Sequence, residues 1–385
     1  MRRSYIVAAA LLVAAACNSS GGASKTSGST APASLSATPV YARVGPYAVG
    51  YTTLKLPDRL VAVWYPADAA GVAGKVKATY DQATPLPDRL KGIVPKQYNT
   101  VITMNAYTDV PASTKGPFPV VLFAHGYGGY RLVNSAIDVG IASWGFVVVS
   151  VDYLERGIVA QVTGGAKQTR EPSAAALLNG ARRDERLTLA ALDLVTREGK
   201  RPGSPLYGAV DATRVAAVGH SAGGGTAFDV LADPRVAVAV GWAPVPPSGA
   251  PVDKPTMIIG ASGDRALTPA VLAKVYASFP PPKRRVEIGP AGHNTFTDVC
   301  TVIRGGGGLV EFARKFHLVA PSLLDLAENG CAPSDLPPPT FWPVVQHFTV
   351  AEIRYALGID RQPVGLGDGI TQAFPGVTVQ YWHEP

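Results

Sequence analysis

The clearest pattern in the chain is a series of short, almost uninterrupted apolar runs separated by longer mixed segments. "FPVVLFAH", "FVVVSVD", "RVAAVGHS", "VAVAVGWAP", "PTMIIGAS" and "RRVEIG" show little alternation, as strands do when both faces are covered. Ahead of them, "YARVGPYAVGYTTLKL" and "RLVAVWYPA" alternate in part and read as successive β-strands. Helix-length segments fall between the runs: Leu132 to Trp144, Ala174 to Glu198, Ala222 to Ala232 and Pro269 to Ser278. A strand pair followed by repeated βα units predicts an α/β fold, a doubly wound and mostly parallel sheet with N-terminal antiparallel strands. In such sheets ligands bind beyond the carboxyl ends of the strands, which is where chemistry is to be sought.

The ends of the chain follow other patterns. Residues 1–16 combine Arg2 and Arg3 with an apolar run too short to span a bilayer and close on small residues, the pattern of an export signal. Cleavage before Cys17 fits ordinary secretion and also a lipobox in which Cys17 carries a lipid. The Gly-, Ser- and Thr-rich stretch 17–40 reads as a flexible tether, so an exported protein anchored to a membrane through Cys17 is expected. The α/β domain is assigned to 41–385, with a helical segment over about 300–385. A hydrophobic content of 47% is ample for a large core. The formal charge of +7 includes Arg2 and Arg3 and is otherwise scattered; its densest cluster, Lys283-Arg284-Arg285, reads as the start of a strand, and no nucleic-acid partner is expected. With Cys17 set aside, Cys300 and Cys331 remain in an oxidising setting and are predicted to form a disulfide.

Candidate chemistry gathers at the strand ends. Gly219-His220-Ser221-Ala222-Gly223 is a G-x-S-x-G sequence between a strand and a helix, where a tight turn would push the Ser221 hydroxyl into the open. A serine needs a base to take its proton and a carboxylate to orient that base. Asp264 stands just past "PTMIIGAS", whereas Asp253 precedes that strand, at its wrong end. His293 follows "RRVEIG" by four residues, while His317, His347 and His383 fall in the helical or tail region. The order Ser221, Asp264, His293 is that of a nucleophile, acid and base on an α/β sheet. Oxyanion donors are expected from the backbone N–H of Ala222 and, in "FAHGYGGYR", of Tyr127, where Gly126, Gly128 and Gly129 permit a sharp turn. His125 and His220 read as braces of these loops. "AGHNTFTDVC", Ala291 to Cys300, crowds a histidine, an aspartate and a cysteine together but lacks zinc-ligand spacing, and "RGGGGLV" lacks the Lys-Ser/Thr of a phosphate cradle; neither a metal nor any other cofactor is expected.

Taken together, "VAVWYPA", "YTDVPASTKGPFPVVLFAHGYGG", "ASWGFVVVSVDY", "RRDERLTLAALDLV", "VAAVGHSAGGGTAF", "IIGASGDRALTP" and "AGHNTF" resemble the α/β-hydrolases over about residues 40–300. Within them the chain is similar to secreted bacterial esterases resembling platelet-activating-factor acetylhydrolases, dienelactone-hydrolase-like lipoproteins and cutinase-like polyester hydrolases. The resemblance implies the same five residues in the same roles, in a serine carboxylic ester hydrolase acting through an acyl-enzyme on short-chain or polyester-like esters; the alternatives are an amidase or peptidase with the same triad and a non-catalytic surface lipoprotein that uses the fold for binding. Dienelactone hydrolases proper use a cysteine where Ser221 stands. In cutinase-like members a tryptophan after the next strand lines the acyl site, a role open to Trp242 beside plain packing. Only "APVPPSGAPVDK" follows Trp242 where many lipases insert a lid, so no large cap domain is expected, and specificity is sought in Thr84 to Pro117 and Tyr153 to Pro172.

Overall fold

Each continuous apolar run becomes a strand in the structure, a computed structural model that describes residues 33–164 and 174–385. The expected export signal, Cys17 and most of the tether lie outside the described residues. The strands are β1 (Ala48–Lys55), β2 (Leu60–Ala67), β3 (Lys77–Asp81), β4 (Val101–Thr108), β5 (Phe118–Ala124), β6 (Val147–Val151), β7 (Val210–His220), β8 (Val236–Trp242), β9 (Thr256–Ala261), β10 (Lys283–Gly289) and β11 (Thr378–Glu384). They form one sheet in the order β11-β10-β9-β8-β7-β5-β6-β2-β1-β4-β3. From β6 to β10 the pairs are parallel; β2 joins β6, and β1 joins β2, antiparallel.

Side-chain alternation divides the interior into two layers. Val121 and Phe123 of β5 enter one layer, with the Ser135–Ser143 and Pro338–Ala356 helices. Val120, Leu122 and Ala124 enter the other, against Leu192 and Val195 of the Ala174–Glu198 helix and Leu272 and Val275 of the Pro269–Ser278 helix. β5, β6 and β9 are buried along their whole length, the reason their sequences carry no polar alternation.

Three strands lie outside the expected set. β3 and β4 form an antiparallel pair at one edge, where half-exposed residues dilute the apolar signal. At the other edge the segment read as helical ends in a strand, β11, which pairs antiparallel with β10 from Lys283↔Glu384 to Gly289↔Thr378. Because β5 lies between β6 and β7, successive connections leave it in opposite directions. A crevice opens beyond the carboxyl ends of β5 and β7 as a result.

Candidate active site

Ser221 stands at the end of β7 with φ 57° and ψ −120°, a left-handed conformation costly for any residue with a side chain. The turn is held from three sides. Its N–H donates to the Trp242 carbonyl at 2.8 Å, and its carbonyl accepts from Gly224 and Val245 at 2.9 and 3.0 Å. The flanking glycines are required because the chain packs backbone against backbone there: Gly219 lies on Gly223, and Gly223 lies on the end of β5. The serine is thereby presented at the mouth of the Ala222–Asp229 helix.

The carboxylate and the imidazole come from the two following strand ends. Asp264 Oδ1 accepts the N–H groups of Ala266 and Leu267 at 2.8 and 2.9 Å, which leaves Oδ2 aimed at His293 Nδ1, 2.8 Å away. Both side chains are buried. With Nδ1–H donating to the carboxylate, His293 keeps Nε2 as its free base, and Ser221 and His293 line the same cavity. His220, beside Ser221, donates from Nε2 to the His293 carbonyl at 2.9 Å and so braces the base loop; burial, with His293 adding to it, pulls its pKa well down and keeps it neutral.

The glycine loop after β5 closes the third side. His125 donates from Nδ1 to the Gly126 carbonyl and accepts the Tyr153 N–H at Nε2, so both ring nitrogens are occupied. Gly128 and Gly129 donate to the carbonyls of Arg156 and Gly126. Among the described residues, the N–H groups of Tyr127 and Ala222 have no intramolecular acceptor, and the Tyr127 hydroxyl is tied to Gln161 Oε1 at 2.9 Å.

The chain is similar to several known proteins. A family model described as platelet-activating factor acetylhydrolase, isoform II matches residues 39–189, which include the glycine loop and stop short of Ser221. A platelet-activating factor acetylhydrolase of Cavia porcellus is 26% identical over 151 residues, covering 32% of this chain and 34% of that protein. One of Canis lupus familiaris is 35% identical over 52 residues, covering 14% of this chain and 12% of its own length. The chain thus spans about a third or less of the curated relatives it matches. A ferulic acid esterase from Streptomyces cinnamoneus superimposes with a TM-score of 0.60 at 22% identity, over 88% of this chain and 96% of its own. The chain has the α/β-hydrolase fold.

In this fold, two features depart from the sequence reading. Trp242 is a core residue, not a wall of the acyl site: its ring is fully buried, its indole N–H donates to Thr349 Oγ1 at 3.0 Å, and it packs on Phe123 and Phe296 at 5.2 and 6.2 Å between ring centres. The last residue of β8 turns into the layer beneath the Pro338–Ala356 helix, away from the crevice. The second departure concerns the cavity. No large cap joins β8 to β9, yet the cavity above Ser221, about 250 Å³, is walled by residues from 86–94 and from the Gly308–Lys315 and Pro321–Glu328 helices, with Ile158 and Val162 at its side.

A further residue went unread in the sequence. Asn329 reaches Asp264 and His293 together: its Oδ1 accepts the His293 N–H at 3.4 Å, its Nδ2 approaches Asp264 Oδ1 at 3.5 Å, and its carbonyl accepts the Asn294 N–H at 2.7 Å. It lies 36 residues beyond the histidine with no motif around it. Only the disulfide hinted at it: Cys300 and Cys331 are bonded, which brings 329–331 against the loop 291–296. Thr295 completes the clasp, its hydroxyl donating to the Gly330 carbonyl and accepting the Gly292 N–H, each at 3.0 Å.

Proposed function

We propose that the protein is a serine hydrolase of carboxylic esters that works through an acyl-enzyme. The observation that carries this reading is the His293 Nδ1 to Asp264 Oδ2 bond of 2.8 Å, with His293 and Ser221 lining one cavity. His293 Nε2 takes the Ser221 proton as Oγ attacks the ester carbonyl, and Asp264 stabilises the imidazolium so formed. The N–H groups of Tyr127 and Ala222 receive the oxyanion; donors of this kind are each worth about 10²- to 10³-fold in rate. His293 then gives its proton to the departing alkoxide and activates a water to release the acid.

The names of the similar proteins agree with this chemistry, since both acetylhydrolases and ferulic acid esterases cleave ester bonds. Ser221→Ala is expected to abolish fluorophosphonate labelling and ester turnover while leaving the melting temperature within a few degrees. Persistent labelling would remove Ser221 as the nucleophile, and faster cleavage of matched amides than of esters would move the activity to the amidase class. We propose in addition that Cys17 carries a lipid after export. A Cys17→Ser variant released into the medium, with no lipid label, is the expected result; a wild type that is itself unlabelled would sink the anchor.

A further inference from the structure

Accepting the esterase reading, the cavity itself identifies the kind of ester. Ser221, His293 and the Gly126–Tyr127 backbone make a polar end, with Gly126 lying against Ser221. Elsewhere its described lining holds no charged side chain and is dominated by Leu, Ile, Val, Ala and Phe. Three of the other polar side chains that reach it are bonded to the backbone. Gln82 Oε1 accepts the Leu309 N–H at 3.0 Å, Asn294 Nδ2 donates to the Leu326 carbonyl at 2.5 Å, and Thr297 Oγ1 donates to the Asn294 carbonyl at 2.9 Å. A hydroxyl, amide or charge carried among these apolar residues would lose its water and find few partners, a loss that such sites impose severely.

The two walls are joined to one another and to the catalytic frame. Tyr98 and Phe312 pack across them with ring centres 5.3 Å apart, and the Gln82–Leu309 bond ties the segment before residue 86 to the start of the Gly308–Lys315 helix. The Asn294–Leu326 bond ties the far wall to the residue next to the base. The slot is therefore part of the fold as it stands.

We infer that the ester bound at Ser221 carries an unsubstituted alkyl chain of medium length, lodged between residues 86–94 and 309–327 with the ester group at its polar end. Acetyl esters of short alcohols would leave the slot unfilled. A hydroxylated aromatic acyl group would bury its hydroxyl without a partner, and a charged head group would have to remain outside. The chain can belong to the acid or to the alcohol of the ester, since either fills the slot in the same way.

Two substrate series separate these sources: p-nitrophenyl acetate, butyrate, octanoate and dodecanoate for the acyl side, and ethyl, butyl and octyl acetates for the alcohol side. In at least one series kcat/KM is expected to rise about threefold per methylene until the slot is full, and methyl ferulate is expected to be poor. Ala313→Trp on one wall and Val94→Trp on the other should each lower the octanoate-to-acetate ratio at least tenfold in protein that melts as the wild type does. Binding is read separately in the Ser221→Ala protein, where decanol should displace 1-anilinonaphthalene-8-sulfonate far better than butanol. Turnover that is flat or falling with length in both series, or ratios unmoved in both tryptophan variants, overturns the alkyl-chain assignment. If no ester of any length is cleaved while decanol still displaces the dye, the esterase reading falls and the slot's assignment stands.

Discussion

A methyl group added at Gly219 would lie 2.0 Å from the Gly223 carbonyl oxygen, and one added at Gly223 would lie 2.0 Å from that of Ala124. Neither contact can be relieved by rotating a side chain, because both partners are backbone. Gly223→Ala is therefore expected to destabilise the protein by about 3 kcal/mol, with loss of fluorophosphonate labelling in whatever remains folded; denaturant melts and labelling in parallel check this. Asn329 acts more gently, through the residues it holds. Asn329→Ala should lower kcat roughly tenfold with KM little changed, since it loosens Asp264 and the His293 loop without touching the substrate. Equal losses in an Asn329→Asp variant, which keeps the oxygen that accepts from His293, would mean that the amide donor to Asp264 matters most. The difference in legibility between these residues has a physical cause. Ser221, Asp264 and His293 each follow a strand whose apolar run announces it, so sequence position alone tells where they stand. Asn329 owes its place to a chain crossing, and Trp242 looked like a site residue only because burial on the far side of a sheet leaves no trace in the residue type.

At the scale of elements, the helices that wall the cavity depend on a clasp more than on the sheet. Gly292 and Gly330 cross so closely that a Cβ at either would meet the other's backbone within 2.7 Å, and the disulfide from Cys300 to Cys331 closes the intervening loop just beyond. Reduction, or Cys331→Ser, is expected to cost roughly 3 to 4 kcal/mol by loop entropy. Because the freed segment includes Asn329, turnover should fall together with the melting temperature; a lowered melting temperature with intact kcat would separate the clasp from the base. The central strands were legible because burial on both faces writes a continuous apolar run. β3, β4 and β11 were not, since edge strands keep polar and half-exposed positions that resemble loop. The walls were hidden for another reason. Leu309, Leu323 and Leu326 sit at helical spacing and look like ordinary core, although they face a cavity.

Across the whole molecule, buried titratable groups oppose one another in acid. His347 accepts the Tyr41 N–H at 3.2 Å and donates to the Gly365 carbonyl at 3.0 Å, and burial lowers its pKa to about 4. His125 and His220 are lowered as well, chiefly by burial. A histidine whose folded pKa is depressed stabilises above its unfolded value of about 6.5 and loses that contribution as the pH falls toward 4. Burial works the other way on the acids, raising Asp298 to about 6 and Glu352 to about 7 even though Arg284 lies 2.8 Å from the latter. The stability they lend is full below their unfolded values of about 4 and is lost as the pH rises from there to those folded values. The melting temperature is thus expected to vary little between about pH 4.5 and 7, and His347→Gln should be most harmful near pH 7 and progressively less so toward pH 4; calorimetry across that range decides it. The clasp has a last consequence for the molecule as a whole. The Cα atoms of Cys300 and Cys331 are only 4.8 Å apart, so the thirty or so residues between them leave and re-enter the catalytic frame at almost one point. Loop closure penalises extra length only slowly, about 0.6 kcal/mol per doubling. That stretch is consequently a cassette: a graft of different length or lining between the two cysteines that keeps Asn329 would change which chain is accepted while leaving Ser221, Asp264 and His293 at their own strand ends.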